Sequence, residues 1–154
     1  MLAVVAGVTL LFAGLVLANL DKIRTAVAIR RAERPVLKTP AGDMVVVPEG
    51  EFQVPSFEKP PKLPAFYIDK EPVSPEFYAR FLAETGRPGG PVTPEAERAF
   101  CEWAGKRAPS PDELEKAGRG ATTENDVSIY GVRGMAQGGT FRCALDAAQA
   151  SKFR

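Results

Sequence analysis

The chain has 154 residues with 20 basic and 19 acidic side chains, so no strongly basic face stands ready to displace the counterions of a nucleic acid. It contains no histidine, which removes the commonest general base, metal ligand and pH switch together. Fourteen glycines and fourteen prolines point to a loop-rich fold rather than a helical bundle.

In chain order, the run from Met1 to Leu20 carries no charged side chain. About 20 apolar residues in a helix span the hydrocarbon core of a bilayer, so residues 1–20 read as a single transmembrane helix with lipid as a partner. A cleavable signal peptide is the rival, because Val16-Leu17-Ala18 has the small-residue pattern of a cleavage site. No basic region precedes it, however. Ala3, Gly7, Gly14 and Ala18 fall on one helix face, where small residues let other transmembrane subunits of a complex approach closely. The ordinary abundance of Gly and Ala in such helices gives the same pattern. The absence of charge within the span argues against an ion or proton path. Residues 21–43 read as a juxtamembrane helix to about Glu33, ended by Pro35, and a polar linker closed by a Thr39-Pro40-Ala41-Gly42 turn.

From residue 44 the pattern is that of a folded domain. Met44–Phe52, a hydrophobic run followed by Pro48 and Gly50, looks like a strand and turn, and residues 55–64 are too proline-rich for a helix or a central strand. Phe66–Ser74 reads as a strand leading into a helix capped by Ser74, with Pro75 in its first turn and Gly86 at its end. The same grammar recurs at Thr93-Pro94-Glu95 and at Ser110-Pro111-Asp112-Glu113, where Glu113 completes a capping box. Ala96, Ala99, Phe100 and Trp103 form the apolar face of the second helix, so Trp103 reads as core rather than as a ligand platform. Leu114 and Ala117 face inward from the third. Glu95, Glu97, Asp112, Glu113 and Glu115 mostly occupy first helical turns, which capping and the helix dipole explain without catalysis.

The string Cys101-Glu102-Trp103-Ala104-Gly105-Lys106-Arg107, with Phe141-Arg142-Cys143-Ala144, resembles the sulfatase-modifying-factor family, the formylglycine-generating enzymes and their non-catalytic relatives. Met44–Phe52, Phe66–Ser74 and Tyr130–Met135 support the resemblance with weaker motifs in the same order. It implies an α+β, compact C-type-lectin-like domain over residues 44–154, here pared down and placed behind the single N-terminal transmembrane helix. Lys106 and Arg107 could bind an anion, but the family string keeps them as part of the turn after the helix, and the resemblance also implies that Cys101 and Cys143 pair as a structural disulfide. Two buried free thiols remain the alternative for that pair. If bonded, the cysteines would close a long loop worth about 4 kcal/mol in the chain-entropy model.

The catalytic members of that family use a reactive cysteine pair and copper, placed between an Arg-Gly-Gly-Ser segment and the closing Gly-Phe-Arg-Cys strand. Here Gly138-Gly139-Thr140 runs straight into Phe141, and the Asn-Val-Trp-Glu-Trp motif is missing after Met135. With Cys101 and Cys143 assigned to the scaffold, no soft-metal ligand remains. The expectation is therefore no catalytic residue, no cofactor and no metal. The function expected is a non-catalytic, membrane-anchored accessory subunit docking in a larger membrane complex, with a respiratory or photosynthetic electron-transfer assembly the first type to consider. The alternative is a surface-displayed binding module for a glycan, peptide or small ligand, for which Thr122–Asp126 offers the sole run of candidate calcium ligands. Lys22, Arg24, Arg30, Arg31 and Arg34 favour a cytoplasmic domain, whereas a disulfide favours an oxidising compartment. The balance leans narrowly to the periplasmic side.

Overall fold

The computed structural model describes residues 35–52, 60–121, 127–134 and 140–153. They belong to one compact unit, Arg34–Arg154. Its elements in chain order are β1 (Val36–Leu37), β2 (Met44–Val47), β3 (Gly50–Glu51), β4 (Lys62–Leu63), β5 (Phe66–Asp69), α1 (Pro75–Thr85), α2 (Pro94–Trp103), α3 (Pro111–Ala117), β6 (Ala144–Asp146) and a 3₁₀ helix, Ala147–Phe153.

A four-stranded sheet in the order β1-β2-β5-β6 forms the centre, all neighbours antiparallel. β3 and β4 make a separate two-stranded ribbon. The register sets Val45 opposite Ile68 and Val47 opposite Phe66. These four side chains share one face, where they pack with Ala117 of α3 and Val132. On the other face Met44 and Leu145 pack with Leu37 and Ala150, the last from the 3₁₀ helix. Both faces are covered, which is why β2 reads as an unbroken apolar run and not as an alternation.

A third cluster lies between α1 and α2. Phe81 and Phe100 meet edge-to-face at 5.5 Å, Phe141 closes on Phe100 at 5.4 Å, and Tyr78 and Trp103 complete the group. The three α-helices among the described residues start alike. The hydroxyls of Ser74, Thr93 and Ser110 accept from the backbone N–H three residues on, and a proline follows each cap. Gly86 ends α1 in the left-handed region at φ 66°, which a side chain would resist.

The expected architecture requires correction. Among the described residues no helix is long and apolar enough to cross a membrane. The longest, α1, has 11 residues and so measures about 16 Å, against a hydrocarbon core of about 30 Å. In place of a lectin-like domain behind a membrane helix, the described residues form a small α+β fold of two sheets, three α-helices and a 3₁₀ helix. The helix expected at 1–20, its small-residue face of Ala3, Gly7, Gly14 and Ala18, and the juxtamembrane helix from residue 21 lie outside the described residues. The folded unit also begins earlier than residue 44. Val36 and Leu37, within the segment that reads as a linker, pair with Val45 and Met44 as the edge of the sheet.

Candidate functional site

The densest collection of buried charge sits where α2 hands over to the sheet. Gly105 takes φ 71°, and the N–H groups of Gly105 and Lys106 donate back to the carbonyls of Glu102 and Cys101. That turn sends the Lys106 side chain into the interior, where it is fully buried. Its ammonium donates to Asp69 Oδ1 at 2.7 Å and to the Ala41 carbonyl at 3.0 Å. The other Asp69 oxygen accepts from the backbone N–H of Cys143 at 2.7 Å. Arg142 donates to the carbonyl of Asp69 at 3.0 Å and to that of Arg133. Burial pushes the Asp69 carboxyl up from its ordinary range, and the Lys106 charge and hydrogen bond pull against it. Burial also draws the Arg142 guanidinium down to about 10, with Asp69 and Glu71 opposing.

Two further buried groups are engaged in the same manner. Arg107 makes a forked contact to Glu113 at 2.6 and 2.7 Å and reaches Asp146 at 2.8 Å. Glu113 simultaneously accepts from the Ser110 N–H, completing the capping box of α3. Burial raises the Glu113 carboxyl, but the Arg107 and Ser110 hydrogen bonds outweigh it and hold the group below the usual range. Lys116, only 2 % exposed, donates to the carbonyls of Pro48 and Gly50 at 2.7 and 3.0 Å and so pins the turn between β2 and β3. Burial lowers its ammonium.

Cys101 of α2 and Cys143, just before β6, are joined as a disulfide and completely buried. Lys106 and Arg107 do occupy the turn after α2, but both side chains bind carboxylates within the chain rather than an outside anion. Trp103 packs against Phe81 and Phe100 and is half-buried, its indole N–H donating to Glu84. Sequence reasoning gave no role to Asp69, Arg142 or Lys116. An acidic residue ending an otherwise apolar strand was the one available signal for Asp69. Arg142 and Lys116 carry none, because the Asp69 carbonyl stands 73 positions from Arg142 and the Pro48 and Gly50 carbonyls 68 and 66 from Lys116.

Among the described residues, no three His, Cys, Asp or Glu side chains gather as a metal site. The stretch Thr122–Asp126 lies outside the described residues. Two concavities flank the charged cluster. One of about 390 Å³ runs between Ala41–Asp43 and Asp69–Ser74, with Phe77 among its lining residues. The other, of about 250 Å³, is lined by Glu97, Ala108, Pro109, Leu114, Phe141 and Arg142 among others.

Set against known proteins, the chain matches no family model, no curated protein and no solved structure.

Proposed function

We propose that this domain is a non-catalytic accessory module that docks into a larger protein assembly. The observation that carries the reading is the use of its buried charges. Asp69, Lys106, Glu113 and Lys116 each hold two separate segments of chain together, and the two cysteines hold two more. A catalytic group needs a reacting atom within hydrogen-bond reach and a pKa matched to its task. The lysines point at Asp69 and at backbone carbonyls, and the carboxylates at Lys106, Arg107 and backbone N–H groups. The resemblance of Cys101–Arg107 and Phe141–Ala144 to the sulfatase-modifying-factor family supports the same reading, since both motifs contribute here to framework contacts.

The test is native electrophoresis of the protein extracted from its own cells, followed by chemical cross-linking. Migration in a band well above the 16.6 kDa chain, with reproducible cross-linked partners, is the expected result. Migration as a lone monomer with no cross-link would overturn the docking role.

A further inference from the structure

The smaller cavity contains a carboxylate that the scaffold does not use. Glu97 lies in the first turn of α2, yet it behaves unlike its neighbours in such turns. Glu76 is held below the usual carboxylate range first by the Ser74 hydroxyl, and Glu95 first by its own backbone N–H. Burial alone pushes Glu97 up. Its carboxylate has no hydrogen bond or ion-pair partner among the described residues, and it lines the cavity instead.

Arg142 lines the same cavity from the opposite chemistry. It is 6 % exposed, and its two bonds to the carbonyls of Asp69 and Arg133 engage two of the five donors of a guanidinium. Those two bonds fix the orientation of the fork, and its other donors make no further hydrogen bond among the described residues. No ion pair joins Glu97 to Arg142, so the two opposite charges share the cavity without neutralising each other directly. Phe141, Leu114 and Pro109 supply apolar wall.

At about 250 Å³ the cavity falls below the 300–1,000 Å³ common for drug-sized ligands, so only a small molecule fits. Its charges then select by exclusion. A simple anion meets Glu97, and a simple cation meets Arg142, each with a repulsive term. A molecule carrying both signs satisfies both groups.

We propose that this cavity binds a free α-amino acid, its carboxylate on Arg142 and its ammonium on Glu97, with the side chain against Phe141 and Leu114. The site is independent of the docking role, so either can fail without the other.

The test uses the purified full chain. Each of the proteinogenic amino acids is added at about 10 mM and the melting temperature is followed, since a ligand of the folded state raises it. The best binder is then compared by calorimetry with its N-acetyl and amide derivatives. At least one free amino acid is expected to bind with Kd below about 1 mM, and either derivative to bind about tenfold more weakly or worse. Glu97→Gln is expected to weaken the free amino acid by a similar factor while lowering the unliganded melting temperature only slightly, through the lost first-turn charge, because Glu97 has no bonding partner among the described residues. No shift with any amino acid would overturn the proposal. So would equal binding of the blocked derivatives, or an unaltered affinity in Glu97→Gln.

Discussion

Glu113 carries two tasks with one carboxylate, capping α3 at the Ser110 N–H and forking with Arg107. Because those bonds hold its proton affinity below that of the unfolded chain, the unfolded state binds more protons across the window between the two values. Stability from this group is therefore complete above the ordinary glutamate range and declines as pH falls through the lowered folded value. Urea melts from pH 6 down to about 3 are expected to show that decline, and Glu113→Gln is expected to be less stable at pH 6 with a shallower acid limb. An acid limb that Glu113→Gln leaves unchanged would show that other carboxylates set it. Lys116 marks the limit of residue-scale reading. Nothing in Pro111–Arg119 separates it from any solvated helix lysine, yet it is almost fully buried because the carbonyls of Pro48 and Gly50 lie above it.

The helix starts are the part of the fold most open to a sequence reading, since cap chemistry is local. Ser74, Thr93 and Ser110 precede a proline and an acid, and each caps the helix expected there. Ser110→Ala removes a hydroxyl that accepts from the Glu113 N–H and disrupts the reciprocal box. It is expected to cost about 1 kcal/mol in denaturant midpoint measurements. A loss within error of zero would mean that the Arg107 fork alone fixes the turn. β1 was illegible for the opposite reason. Two residues are too few to show a period of two, and Val36–Leu37 becomes a strand only because β2 offers a free edge. The ribbon of β3 and β4 is equally short, and its pairing across a proline-rich segment left no local trace. The 3₁₀ helix was missed as well, its alanines being compatible with loop or helix until Leu145 and Phe153 give them a face to cover.

At the scale of the molecule, long-range ties do what the short elements cannot. The disulfide links positions 42 apart, which the chain-entropy model values at about 4 kcal/mol. Reduction under mildly denaturing conditions, or Cys101→Ala with Cys143→Ala, is expected to lower the melting temperature by roughly 10–20 °C. A shift of only a degree or two would assign the tie to its neighbours. Those neighbours are considerable: Lys106 and Asp69 draw together the turn at Ala41, the end of β5, the end of α2 and the approach to β6. The pair motif Cys101–Arg107 was visible in the sequence, but the acid that receives Lys106 stands 37 positions earlier, and only the folded sheet brings them together. The most direct measurement of this architectural account is a double-mutant cycle on that pair, Asp69→Leu and Lys106→Met, by urea unfolding. Each single change strands a buried charge and is expected to cost about 3–5 kcal/mol, while the double change costs far less than their sum. Additive losses would contradict the claim that these two charges exist to hold the scaffold together.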